Sequence, residues 1–126
     1  MPDPVDMTLR CEIFPADLDA TVEFYTRVLG FILAADRRDT PEPYVYLRRG
    51  NVRIGAVGSV VADATAERLP PTGTELVLEV DDVAAERDKV VAAGWPLTAD
   101  LAHRPWGLTD FRVTDPAGYY LRITNR

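Results

Sequence analysis

The chain is expected to fold as an α+β protein built from two βαβββ modules. Three observations predict this. Each half runs from a strand-like segment into a helix that opens on a capping aspartate and closes on a glycine followed by an aromatic. Three strand-like segments follow each helix. Between the halves lies a segment, 59–73, whose Pro70-Pro71-Thr72-Gly73 run excludes regular structure. The repeat shows on overlay: Asp17 and Asp81, Gly30 and Gly94, and Phe31 and Trp95 are each 64 positions apart. One such module covers one sheet face with its helix and leaves the other open. Two modules therefore have open faces to share around a cleft.

The elements follow in order. Residues 1–6 read as a loose terminus, and Met7 to Phe14 alternates as a strand does. Pro15-Ala16-Asp17 turns the chain, and Asp17 is suited to cap a helix. Leu18, Val22, Tyr25 and Leu29 fall on one face of that helix, and Gly30 stops it in a left-handed conformation. Phe31 to Ala35 is the second strand, and the polar, Pro-containing stretch from Asp36 to Pro43 is a loop. Tyr44 to Leu47 and Val52 to Val57 form a hairpin around Gly50-Asn51. A short helix fits 62–67 in the linker. Glu75 to Val80 opens the second half. Asp81 or Asp82 caps a helix that runs to Ala93, Gly94 ends it, and Trp95-Pro96-Leu97 begins the next strand. Phe111 to Thr114 and Tyr119 to Thr124 are rich in aromatic and β-branched residues. Asp115-Pro116-Ala117-Gly118 is the turn between them: Asp accepts backbone N–H bonds, Pro presets φ, and Gly tolerates a positive φ.

A chain of 126 residues, 47% hydrophobic and 27% charged, suits one domain with a real core, organised as 7–58, a linker 59–73, and 74–124. Net charge −6 and a pI of about 4.7 argue against nucleic acid or an anionic membrane as partner. Cys11, the one cysteine, sits in an apolar strand pattern and reads as a packed thiol in a reducing compartment. No run approaches the roughly 18 apolar residues of a membrane span. The acidic, Pro-containing start is unlike a signal peptide. A cytoplasmic protein is expected.

Two stretches carry a family resemblance: Asp17-Leu18-Asp19, Phe24-Tyr25 and Leu29-Gly30-Phe31 in the first half, and Asp115-Pro116-Ala117-Gly118-Tyr119 near the end. With these the chain resembles the vicinal oxygen chelate superfamily, which includes glyoxalase I, bleomycin- and fosfomycin-resistance proteins and extradiol dioxygenases. The resemblance spans roughly residues 7 to 124. It implies a curved mixed sheet around a cavity, helices on the outer face, and commonly a homodimer.

Enzymes of that superfamily hold a divalent metal with His, Glu or Gln on the cavity strands. Carried over position by position, the resemblance puts Arg10, Glu75 and Arg122 at the first, third and fourth sites, and the second within 52–57, where no residue is a ligand and Gly55 is the preferred match. One of the four can bind a cation, and a guanidinium, always protonated, repels one. No metal and no other cofactor is therefore expected, and no catalytic residue is assigned. Arg10, Glu75 and Arg122 are expected to converge, either neutralising one another or offering an arginine to an acidic or carbonyl group of a ligand. Metal-free bleomycin-resistance proteins are similar over Pro105-Trp106-Gly107, Phe111 and Asp115-Pro116-Ala117-Gly118, which implies that Trp106 stands at the cavity mouth as a stacking surface. Alternation adds Glu12, Phe14, Tyr44, Tyr46 and Tyr120 to the cavity, with Arg53 and His103 nearby. The lone His103, before Pro105, reads as solvated rather than catalytic, and a Ser59/His/Asp set has nothing to assemble it.

The expected function is a metal-free binding protein that sequesters an aromatic antibiotic or related natural product in the cleft of a dimer. The arginines disfavour cationic bleomycin itself and suit a planar, neutral or weakly anionic compound. Two alternatives are a metal-independent isomerase or lyase, with Glu75 as base and Arg10 and Arg122 holding an oxyanion, and a structural or regulatory module whose cavity its own side chains fill.

Overall fold

The computed structural model describes residues 7–58, 71 and 73–126. The expected linker helix, Ser59, most of the linker and the first six residues lie outside these. The elements are β1 (Cys11–Ile13), α1 (Leu18–Glu23), which continues as a π-helical turn over Phe24–Val28, β2 (Ile32–Asp36), β3 (Tyr44–Arg49), β4 (Val52–Val57), β5 (Leu76–Glu79), α2 (Val83–Ala92), β6 (Ala99–His103), β7 (Thr109–Thr114) and β8 (Tyr120–Thr124). Two βαβββ modules result. Each forms a four-stranded mixed sheet, ordered β1-β4-β3-β2 in the first and β5-β8-β7-β6 in the second. The opening strand of each lies parallel to the last, Glu12 beside Gly55 and Val77 beside Arg122.

The caps form as the sequence predicts, and Asp82 is the one of the two candidates that caps the second helix, so the 64-residue overlay through Asp81 does not match cap to cap. Asp17 Oδ1 accepts from the Ala20 N–H at 3.0 Å. In the second module Asp82, not Asp81, does this, accepting from the Ala85 N–H at 3.0 Å. Gly30 and Gly94 both hold positive φ, 73° and 79°. The first helix thus fits one more residue between cap and glycine than the second. The π-helical turn takes it up, the Leu29 N–H reaching back five residues to the Phe24 carbonyl at 3.2 Å.

Two strand starts move by four residues. The strand expected from Met7 forms over Cys11–Ile13 alone. Before it, Met7 and Leu9 are 95% and 83% exposed, and the Leu9 carbonyl is held by the Arg53 guanidinium at 2.8 Å instead of a ladder partner. Trp95-Pro96-Leu97 does not open β6, which starts at Ala99. Pro96 has no N–H to give a ladder. Trp95 instead closes the helix, its N–H bonding the Val90 carbonyl, and its indole N–H bonds the Thr114 carbonyl at 2.9 Å.

The helices cover one face of each sheet. Val45, Leu47, Ile54 and Ala56 in the first module, and Phe111, Val113, Leu121 and Ile123 in the second, are buried on that side. Phe24, Tyr25, Phe31 and Trp95 pack edge to face or tilted, with centroids 4.8 to 5.5 Å apart, and join the modules. Polar bonds cross the same seam. The buried Tyr25 hydroxyl donates to Asp115 Oδ2 at 2.8 Å, and the Phe14 N–H donates to the Tyr119 hydroxyl at 3.1 Å. Arg49 on β3 pairs with the buried Glu86 on α2: Nη1 donates to Oε2 at 3.0 Å, and Nη2 donates to Oε1. Among the described residues no helix is long and apolar enough to cross a membrane.

Candidate functional site

Strand alternation fixes what the helix-free faces carry. In the first module Val45 and Leu47 go into the core, so Tyr44, Tyr46 and Arg48 point the other way, opposite Val57, Gly55 and Arg53 of β4. Glu12 on β1 shares that face. A Cβ on Gly55 would meet Glu12 Oε2 at 2.0 Å and the Tyr44 hydroxyl oxygen at 2.1 Å. In the second module Leu121 and Ile123 face the core, so Tyr120 and Arg122 lie on the free face with Arg112, which sits directly opposite Arg122.

The first cluster is built around Glu12. Its carboxylate takes the Tyr44 hydroxyl at 3.0 and 3.2 Å and Arg10 Nε at 2.8 Å. Burial, then the hydrogen bond to Glu12 and its charge, push the Tyr44 hydroxyl pKa up. Burial also pushes the Cys11 thiol up, with the Glu12 charge adding to it. The Glu12 carboxylate and the Tyr44 hydroxyl occupy the volume a side chain at Gly55 would need, so a larger residue there would displace them.

The second cluster lies on β7 and β8. Arg122 Nη2 donates to Glu75 Oε1 at 2.7 Å, while its Nε is buried without a partner. The turn between β6 and β7 folds back over the sheet, so that the Trp106 ring centroid lies 5.9 Å from the Arg122 guanidinium carbon. Gly107, at φ 94°, permits that turn. Trp106 remains 58% exposed. Beside Arg122, Arg112 Nη1 donates to the Tyr120 hydroxyl at 2.7 Å. Arg112 and Arg104 share the fully buried Asp110 carboxylate, Arg104 Nη2 at 2.8 Å. Burial pushes the Asp110 carboxyl up, but the hydrogen bonds from Arg104 and Arg112 outweigh it and hold the pKa below the ordinary value.

The expected Arg10–Glu75–Arg122 cluster therefore resolves into two pairs. Arg10 takes Glu12, and Arg122 takes Glu75. Arg53 spends a guanidinium N–H on the Leu9 carbonyl and stands opposite Arg48. His103 ends β6 and is not in a loop; it is exposed, with Nδ1 3.2 Å from the Thr109 hydroxyl. Phe14 lies half-buried just past β1. A cavity of about 310 Å³ at the seam between β1 and β5–β8 is lined by Glu12, Leu76, Tyr119 and Tyr120 among others. A cavity of about 820 Å³ lies beside the β3–β4 turn, β5 and α2, around the Arg49–Glu86 pair. We place the candidate site on the free faces, because that is where the unpartnered Arg122 Nε and the exposed indole are. Alternation along β1 puts Glu12 on the cavity face, whereas Arg112, Arg104 and Asp110 belong to none of the sequence motifs. The signal for Asp110 and Arg112 was present: they flank the core residue Phe111, so alternation puts them beside Arg122.

The donor set does not fit a metal. Arg10, Gly55 and Arg122 offer no anionic or neutral ligand atom, and Glu75 is bound to a guanidinium. Among the described residues no three His, Cys, Asp or Glu side chains converge where they could hold an ion.

Comparison with known proteins decides the family. The model of the Glyoxalase/Bleomycin resistance protein/Dioxygenase superfamily matches residues 8–123. The chain belongs to that superfamily. Within it, the chain is 32% identical over 113 residues to a probable lactoylglutathione lyase of Vibrio cholerae, covering 85% of this chain and 81% of the relative. TioX from Micromonospora sp. ML1 superposes with a TM-score of 0.76 at 24% identity, over 95% of this chain and 98% of that one. A lactoylglutathione lyase from Agrobacterium tumefaciens gives 0.70 at 21% identity, over 98% and 96%. Both superpositions show the shared superfamily fold.

Proposed function

We propose that this superfamily member is a metal-free binding protein that holds an aromatic small molecule against Trp106 and the aromatic and arginine side chains of the free sheet faces. The observation that carries the reading is the state of the four superfamily ligand positions. Two are arginines, one is a glycine whose side-chain volume is filled by Glu12 and Tyr44, and the fourth is a carboxylate neutralised by Arg122. With no ligand set, chemistry on chelated oxygens has no support from this chain's residues. An exposed indole lying over a guanidinium is a ready stacking platform. Sequestration of an antibiotic or related natural product is the role this suits, in a cytoplasmic homodimer. The exposed Met7 and Leu9, and the edge position of β5, support association of two copies.

The test has two parts. Native mass spectrometry with elemental analysis for Zn, Ni, Fe and Mn is expected to find a dimer carrying no stoichiometric metal; one ion per site would return the chain to the chelate enzymes. In a screen of flat aromatic natural products, Trp106→Ala and Tyr46→Ala are expected to weaken binding of any hit roughly tenfold or more, the size of a lost aromatic contact with its buried area, while leaving thermal unfolding unchanged. Undiminished binding in both variants would remove the site from these faces.

A second reading is a metal-independent isomerase or lyase. It is favoured by the 32% identity to a probable lactoylglutathione lyase and by a half-buried carboxylate, Glu75, beside a guanidinium. Glu75→Gln would abolish turnover in a folded protein if this reading holds.

A further inference from the structure

We infer that the ligand is an aromatic carboxylate, whose anionic group takes Arg122 from Glu75 while its ring lies on Trp106. The inference rests on the aromatic-ligand reading above and names the charge of the ligand. Arg112 and Arg122 are register partners on adjacent strands, with both side chains on one sheet face. Like charges so placed are destabilising unless something neutralises them. Arg112 is neutralised in place: Asp110 accepts from it at 3.3 Å and the Tyr120 hydroxyl at 2.7 Å. Arg122 is provided for differently. Among the described residues its guanidinium makes one hydrogen bond, through Nη2 to Glu75, and its Nε is buried with no acceptor. Its flat face is turned to an indole that is itself largely open to solvent.

Glu75 is thus a carboxylate already seated where a ligand's carboxylate would sit. It is the exchangeable partner of the two arginines. Asp110 has no exposed side-chain surface, whereas the Glu75 side chain is 29% exposed and reaches the site from just before β5. It can swing into water when a ligand carboxylate arrives. Arginine binds a carboxylate through two parallel N–H bonds, and Arg122 now commits one nitrogen to Glu75. A flat ring fused to that carboxylate would lie against Trp106 in the same step. A cationic or neutral ligand would leave the Glu75–Arg122 pair intact and gain the indole alone.

The experiment compares anthracene-2-carboxylate with its uncharged amide, anthracene-2-carboxamide, by fluorescence titration against the intact protein and three variants. The wild type is expected to bind the carboxylate at least tenfold more tightly than the amide. Arg122→Gln is expected to lose about 10- to 100-fold for the carboxylate, the loss of a charge-assisted hydrogen bond, and little for the amide. Glu75→Gln, which removes the competing anion, is expected to tighten the carboxylate several-fold and leave the amide unchanged. That opposite sign is one a merely structural pair would not produce, and it stands even if Arg122→Gln fails to fold. Trp106→Ala should weaken both probes. Equal binding of the two probes, unmoved by Glu75→Gln, would overturn the inference while leaving the aromatic site standing. Saturable binding of neither probe would overturn both.

Discussion

Asp115→Ala is expected to cost about 3–4 kcal/mol of stability and lower the melting temperature by roughly 10–15 °C, from lost charge-assisted bonds and one stranded buried hydroxyl. Asp115 is buried and does several things at once. Its Oδ1 accepts the Ala117 and Tyr119 N–H groups at 2.9 Å each and shapes the β7–β8 turn. Its Oδ2 accepts the Tyr25 hydroxyl across the module seam. Tyr25 is fully buried, and burial, then the Asp115 charge, raise its pKa well above the ordinary value, so the hydroxyl stays a donor. Truncating Asp115 leaves that donor without this acceptor where water cannot replace it. Tyr25→Phe should cost less, about 1 kcal/mol, because the turn bonds of Asp115 survive. A calorimetric scan of the two variants checks the ordering; an Asp115→Ala melt within about 3 °C of wild type would show that the seam is held by apolar packing alone.

Asp110→Asn is expected to destabilise by about 3 kcal/mol, the scale for removing one partner of a buried ion pair. The substitution keeps the shape and removes the charge between Arg104 and Arg112, next to Arg122. The pH dependence has a definite sign. Because the folded carboxyl titrates below its unfolded value, its contribution is complete above about pH 4 and is lost as pH falls through the folded pKa. Wild type and variant should therefore differ most at neutral pH and converge in acid. Urea denaturation from pH 7 down to 3 measures this. A gap that stays constant with pH would mean that packing, and not the charge, carries the effect.

The Tyr25–Asp115 bond also accounts for the motifs. Phe24-Tyr25 and Asp115-Pro116-Ala117-Gly118 are the two stretches by which the chain resembles its superfamily, and they bond directly to each other across 90 residues of sequence. They hold the modules together and say little about what the free faces bind. This is why the family was legible while the ligand was not.

The sequence by itself determined the two-module plan, the Asp17 cap, the helix-ending glycines, the Asp-Pro-x-Gly turn and the inward-facing Ile13, Val45, Leu47, Leu121 and Ile123. These depend on local rules: φ at glycine, an aspartate at an N-cap, a period of two along a strand. It also determined that Arg10 and Arg122 carry guanidinium groups, which folding cannot turn into metal ligands. Tertiary structure decided the rest. It chose Asp82 over Asp81, because the first helix absorbs its extra residue in a π-turn and equal spacing between the halves is lost. It left Met7 to Arg10 outside the sheet, because a strand needs a neighbour and alternation cannot supply one. It divided the expected arginine–glutamate cluster into two pairs, because Glu12, two residues from Arg10, was nearer to it than Glu75, and only the folded register brings Glu75 to Arg122. Charge partners are chosen by distance in space, and distance is what a linear chain does not contain.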